Sequence, residues 1–454
     1  MLSTCPKRIV FFYGILNTVF IHFTFFMIIS SLHAQEIIDS RGNPTIECTA
    51  ILADGSSGRA SVPSGASTGI YEAVELRDGD LKRFSGLGVL KAVANVNEIL
   101  VKTVKGIDAA DQEKLDKALI EADGTENKSL LGANAILSVS LSTARAEATS
   151  EKKPLYRYLT KFNPDHKEPF LMPIPQMNIM NGAKHANWAT DIQEYMILPL
   201  GAKSIADAIR MSAEVYMKLK EIIKKKGYST TVGDEGGFAP NNMTSNREPF
   251  ELIKEAISSA EYYIGKDIYL GIDAAASEFY REGTYELKKE KKTMTREELL
   301  DFYLNLSTAY PLISMEDLFA EDDWEGFQKL TSAVGEKIQV VGDDLYVTNV
   351  KRLQKGIEKK TTNSILIKPN QIGTLAETIR AILLARKNGM TAVVSHRSGE
   401  TEDSFIADLV VGMGTGQIKA GAPARSERLA KYNRLMSIER ELGEKAIYTR
   451  WEEK

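Results

Sequence analysis

Six short apolar runs in the C-terminal half each end in a polar residue, and this pattern constrains the fold more than any other feature of the chain. Ile268–Ile272 ends at Asp273, Leu312–Met315 at Glu316 and Asp317, and Gln339–Gly342 at Asp343 and Asp344. Ser364–Ile367 ends at Lys368, Ala392–Ser395 at His396-Arg397-Ser398, and Gln417-Ile418 at Lys419. From Glu316 onward the intervals are 27, 25, 28 and 23 residues, room for one strand, one helix and two loops. Uninterrupted apolar strands imply burial on both faces, as in a parallel sheet. Right-handed crossovers then carry all six polar ends to one edge, which in a β/α barrel is where active sites are built. A lone acid after a strand is ordinarily a helix cap or a loop residue. Three acid-ended runs followed by Lys, His-Arg and Lys read instead as a metal site facing an anion site.

Composition narrows the function. A chain of 454 residues suits one barrel plus a smaller domain. Its formal charge of −4 lacks the basic bias of a nucleic-acid-binding protein. Cys5 and Cys48 are the only cysteines, too few for a disulfide framework or a cysteine zinc site. Neither a P-loop nor an HExxH pattern is present.

In chain order, residues 1–26 form a hydrophobic extension. Lys7-Arg8 precedes an uncharged run from Ile9 to Gln35 long enough to cross a bilayer. It reads as a start-site artefact, with translation beginning at Met27, as a membrane anchor, or as a signal peptide. Cleavage after Ala34 would remove a strand that the fold can use, so the internal start is the working expectation. Residues 27–165 are expected to form an N-terminal α+β domain. Its strands lie around Met27–Ile38, Thr45–Leu52 and Gly58–Val62, followed by the polar Ser64–Gly69 loop. Helices are predicted over Val89–Leu100, Ala109–Ala122 and Ala133–Thr149. Residues 166–454 are expected to form the barrel. It opens with strands over Pro173–Met180 and Ile192–Leu198 and a helix over about 204–226. Thr295-Arg296-Glu297-Glu298 is a capping box, and the Lys288–Lys292 run is expected to be a solvated loop. Two glycines beside an acid in Gly233-Asp234-Glu235-Gly236-Gly237 let backbone approach a ligand closely.

From Met27 to its C-terminus the chain resembles the enolase family. The blocks that carry the resemblance are Asp39–Thr45, Ser64–Gly69, Gly124–Ser129, Gly233–Gly237, Ser395–Glu400 and Gly421–Lys431. The resemblance implies an atypical β/α barrel, ββαα(βα)6, behind the α+β domain. It implies a glycolytic and gluconeogenic lyase that reversibly dehydrates 2-phosphoglycerate to phosphoenolpyruvate through an enediolate. Asp273, Glu316 and Asp343 would bind a first Mg²⁺, and Ser67 would help hold a second that arrives with substrate. Lys368 would be the base and Glu235 the acid, with Glu194 beside it keeping Glu235 protonated. His185, Gln193, Glu194, Glu316, Asp343, His396, Arg397, Ser398 and Lys419 would surround the substrate. Mg²⁺ and Lys419 would lower the Lys368 pKa, as a lysine base requires. A Lys or His base paired with Mg²⁺ is what the resemblance implies for this chemistry. A homodimer in the cytoplasm is implied, with a secreted or cell-surface pool allowed and membrane association only through residues 1–26. The chain departs from the family pattern at Ala183, where Gly is usual, and at Leu318, where Pro or Gly is common. Both bear on substrate affinity or loop closure. A competing reading is a surface-exposed binding protein on the same fold. A third is a related enzyme acting on a non-phosphorylated acid, which the Ser67 loop and Arg397-Ser398 disfavour.

The internal start predicts a native mass matching a chain that begins at Met27, measured by intact mass spectrometry. Recovery of the full-length chain only in membranes would favour the anchor.

Overall fold

The computed structural model describes residues 27–66, 69–241 and 243–451. The extension 1–26 and Ser67 therefore lie outside the described residues. Strands β1 (Ile29–Ile38), β2 (Pro44–Leu52) and β3 (Ser57–Ser61) form an antiparallel meander. Alternation buries Ile46, Cys48, Ala50 and Leu52 on one face of β2. Helix α1 (Gln112–Asp123) starts later than its apolar periodicity predicts, because the Asp111 side chain accepts from Lys114 N at 3.0 Å and caps it. Helix α2 (Ala133–Ser150) packs on β2 and β3. Its small Ala, Ser and Thr side chains allow close approach, and Gly58 on β3 has no side chain in the way. A Cβ there would lie 2.2 Å from Ala146 N and 2.4 Å from Ser142 O.

The barrel begins with β4 (Ile174–Asn181) and β5 (Glu194–Leu198), then α3 (Ile205–Lys225) and α4 (Glu248–Ser259). Six strand–helix units follow. They are β6 (Tyr269–Asp273) with α5 (Arg296–Ala309), β7 (Leu312–Glu316) with α6 (Trp324–Val334), and β8 (Gln339–Gly342) with α7 (Val350–Lys359). The last three are β9 (Ser364–Ile367) with α8 (Leu375–Lys387), β10 (Thr391–Ser395) with α9 (Phe405–Met413), and β11 (Gln417–Lys419) with α10 (Ser426–Leu442). The barrel closes between β11 and β4. Only β5 runs antiparallel to both of its neighbours. The ββαα(βα)6 order is thus the one the apolar runs and the resemblance imply.

Inside the barrel, polar side chains satisfy one another. Gln417 Oε1 accepts from Gln176 Nε2 at 2.8 Å and Gln339 Nε2 at 3.0 Å, while Gln417 Nε2 donates to Gln339 Oε1 at 2.8 Å. Each amide is buried and partnered, so the low dielectric strengthens the network instead of penalising it. The capping box at α5 forms as its sequence predicts, with Thr295 N donating to Glu298 Oε2 at 2.8 Å. The Lys288–Lys292 run is the solvent-facing turn expected of it, its last residue opening the third strand of a small antiparallel sheet, Tyr280–Arg281, Thr284–Leu287 and Lys292–Met294. The buried Tyr285 anchors that sheet, which the charge run alone does not reveal.

The N-terminal domain reaches the barrel where α8 begins. Asp116 Oδ2 accepts from Ala376 N at 2.8 Å, and Ser140 Oγ accepts from Leu375 N at 3.0 Å. These satisfy donors that a helix start leaves open. Burial pushes Asp116 up to about 7. Arg145 adds a bidentate pair to Asp403 at 2.6 and 2.7 Å. Among the described residues no helix is long and apolar enough to cross a membrane.

Gly58→Ala is expected to lower stability by about 1–3 kcal/mol through overpacking, read as a lower Tm by circular dichroism. A wild-type Tm would mean that α2 does not press on β3.

Candidate active site

Strand register assembles the site. Asn181 pairs with Glu194, Glu194 with Asp273, and Asp273 with Glu316, a row across β4 to β7 at one edge. Because β5 is reversed, Glu194 reaches that edge from the start of its strand, whereas Asp273 and Glu316 reach it from the ends of theirs. Lys419 ends β11, which pairs with β4, and reaches across the barrel mouth to this row. Its Nζ lies 3.0 Å from Glu194 Oε2, 3.0 Å from Asp273 Oδ2 and 2.9 Å from Glu316 Oε1. Lys368, just after β9, pairs with Asp343 Oδ2. Gln371 Nε2 donates to the other Asp343 oxygen at 2.9 Å. Arg397 forms a bidentate pair with Glu72 of the N-terminal domain, at 2.9 and 3.1 Å.

A second group surrounds Glu235. Ser398 Oγ donates to Glu235 Oε1 at 3.0 Å and lies 3.2 Å from His185 Nε2. Asn178 Nδ2 donates to Glu235 Oε2 at 3.1 Å, and His396 Nε2 lies 3.4 Å from the same oxygen. One ligand-type atom from each of His185, Glu194 and Glu235 lies within 4.8 Å of the others. Gln193, preceding β5, lines the same pocket as these residues, Lys368 and Lys419. Every site residue expected from sequence and described in the structure is therefore within or against one pocket.

The charge states differ from expectation in two places. Burial and then the facing Glu235 push Glu194 well above the usual carboxylate range. Burial also works to raise Glu235, but His396, His185 and Arg428 outweigh it and hold Glu235 well below that range. The two facing carboxyl groups are thus pushed in opposite directions, Glu194 up and Glu235 down. For Lys368, burial and the nearby Arg397 and Lys419 act downward as expected. The direct pairing with Asp343 overrides them and raises it.

The donor set fits a hard divalent cation. It consists of buried carboxylates without a thiolate, the oxygen ligands that Mg²⁺ takes. Burial, then the neighbouring Asp273, raises Glu316 well above its ordinary value. Burial, then Asp317, does the same for Asp344. The carboxyl groups here thus outnumber the two lysines, and their mutual repulsion adds to burial in pushing these acids up. Asp273, Glu316 and Asp343 end neighbouring strands, with Lys419 between the first two and Lys368 on the third. The carboxylates within 4.8 Å of one another are a different trio, Asp317, Asp343 and Asp344. Asp317 is held by accepting from Asp343 N at 2.9 Å and Asp344 N at 2.8 Å, so its role is partly to shape the loop after β8.

Sequence reasoning leaves out Glu72, Asn178, Gln371 and Arg428 as site residues. Gln371 had a legible signal, since it lies three residues beyond Lys368 in the short helix Pro369–Ile372. Glu72 and Asn178 reach the site only through tertiary folding, and nothing in their local sequence marks them.

A closed barrel with buried carboxylates, two lysines and an acid–histidine cluster at one strand edge holds the groups that acid–base and metal-assisted chemistry use. The family described as "Enolase, N-terminal domain" matches residues 29–159, and "Enolase, C-terminal TIM barrel domain" matches residues 169–454. The chain belongs to the enolase family.

Removing Lys419 leaves three buried carboxylates without their shared cation. Lys419→Met is expected to cost about 3–5 kcal/mol, measured by chemical denaturation. The loss should be smaller at acidic pH, where the carboxylates protonate, and added Mg²⁺ should restore part of it. Unchanged stability would exclude Lys419 as the group that neutralises the row.

Proposed function

We propose that the protein is a Mg²⁺-dependent hydro-lyase interconverting 2-phosphoglycerate and phosphoenolpyruvate in glycolysis and gluconeogenesis, acting as a cytoplasmic homodimer. The observation that carries this reading is the convergence of Lys368 with the Glu194–Glu235 pair on one pocket, from elements far apart in the chain. In this reading Lys368 takes the proton from C2 of the substrate. Hydroxide then leaves C3 and departs as water, with the proton supplied from the Glu235–Glu194 pair. Arg397, Ser398 and Lys419 offer donors to an anionic substrate, while His185, Gln193 and His396 orient it. A divalent cation held by Asp273, Glu316 and Asp343 would offset the substrate carboxylate's charge and engage the Asp343 oxygen that otherwise pairs with Lys368. A second Mg²⁺, held in part by Ser67, would come with substrate. A pure binding protein would have no use for this buried acid–base set, whose desolvation costs stability.

Proton removal needs the base, whereas loss of hydroxide also needs the acid. Lys368→Ala should therefore abolish both turnover and exchange of the C2 hydrogen with solvent. Glu235→Gln should abolish turnover yet keep C2 exchange. A positioned acid or base contributes about 10²–10⁴-fold, so each loss is measurable by absorbance at the phosphoenolpyruvate band and by deuterium exchange in NMR. A folded Lys368→Ala that still exchanges, beside a Glu235→Gln that does not, would reverse the two roles. An absence of Mg²⁺-dependent turnover in the wild type would remove the reading itself.

A further inference from the structure

We infer that Arg428 is a positioning residue that locks His396 as the tautomer carrying its proton on Nε2. Arg428 is fully buried on α10, where an arginine is rare unless its donors are used. Its Nη1 lies 2.7 Å from His396 Nδ1 and also donates to Arg397 O. Its Nη2 donates to Ser398 O and, at 3.0 Å, to Asp234 O. A guanidinium has donors and no acceptor. The nitrogen it meets at 2.7 Å must therefore be the unprotonated one, so the ring proton is on Nε2. That N–H faces Glu235 Oε2 across 3.4 Å.

The surroundings leave the ring little freedom to do otherwise. Gly421 packs against both partners: a Cβ there would lie 3.0 Å from Arg428 Cδ and 3.1 Å from His396 Cε1. The His396 backbone is held by its N–H donating to Lys419 O at 2.9 Å. The charged groups acting on the ring are Glu235, Arg428 and Glu400. Burial, aided by Arg428, pushes His396 down to about 4, so the imidazole is neutral near pH 7. His396 is thereby a fixed donor toward Glu235 and the pocket, and is not available as a proton acceptor at Nδ1. The same guanidinium ties the loop carrying Asp234 and Glu235 to the loop carrying His396–Ser398. It therefore sets the separation of the acid from the residues that would hold the substrate. This catalytic consequence rests on the hydro-lyase reading, but the tautomer does not.

The test is imidazole ¹⁵N NMR of the whole protein with labelled histidine. The chain has five histidines, and the His396 signals are assigned by their loss in His396→Gln. The expected spectrum shows an unprotonated Nδ1 and a protonated Nε2, unchanged from about pH 5 to about pH 8. A proton on Nδ1, or an imidazolium titrating near the ordinary histidine value, would overturn the inference whatever the protein catalyses. In Arg428→Met the lock should fail. His396 should then show mixed tautomers or titrate in that range, and kcat should fall about 10–100-fold, with partial recovery in Arg428→Lys. A folded Arg428→Met that keeps the Nε2–H form alone would show that Arg428 is not the lock. If that variant does not fold, the wild-type spectrum decides. Correct tautomers with no turnover would count against the hydro-lyase reading alone.

Discussion

One ammonium group ties the catalytic edge of the barrel together. Lys419 ends the last strand and reaches Glu194, Asp273 and Glu316, which sit on three other strands. Three carboxylates in lateral register would repel one another in a buried edge. With Lys419 among them they instead draw the two sides of the barrel together. The arrangement is conditional, since each partner's burial is tolerated only while the others are present. A row of acids stable enough to fold yet carrying excess negative charge is what a cation-binding edge requires.

The charge distribution divides the pocket into two halves with different chemistry. Around Lys368 and Lys419, ammonium and carboxylate groups are directly paired. Around Glu235, the partners are imidazoles, a hydroxyl and an amide, which hydrogen-bond without full neutralisation. The resulting split between Glu194 and Glu235 follows the rule that two interacting acids take their pKa values from unequal surroundings. Arg428 stands behind the second half and links its two loops, so the acid and the histidine move as a unit.

Much of this edge was legible because the barrel repeats. Asp273, Glu316, Lys368, His396 and Lys419 each follow a short apolar run, and from Glu316 onward their near-regular spacing aligned them. Glu194 was harder, since β5 is reversed and its residue opens the strand instead of closing it. Glu72 and Arg428 were not legible at all as site residues, because one arrives from the other domain and the other from the outer helix layer. Charge state was the least readable level. Sequence gives the presence of Glu194 beside Glu235, but the direction in which each is pushed depends on neighbours that only tertiary folding brings near. The same holds for Lys368, whose pairing with Asp343 outweighs the neighbours that the chain order suggests.

The reversed strand has an architectural outcome of its own. From β6 to β11 each connection leaves the catalytic rim on one strand, passes through the helix layer and returns from below, while the one from β5 to β6 starts and ends at the bottom. The segment between Asn181 and Glu194 instead departs from the rim and comes straight back to it as a hairpin. It carries His185 together with left-handed backbone at Ala183, Asn187 and Trp188. Changes in its length or composition can thus reshape access to the pocket without displacing a helix or shifting a strand. With His185 and Gln193 kept, its remaining residues are where selection, or an engineer, could vary what enters.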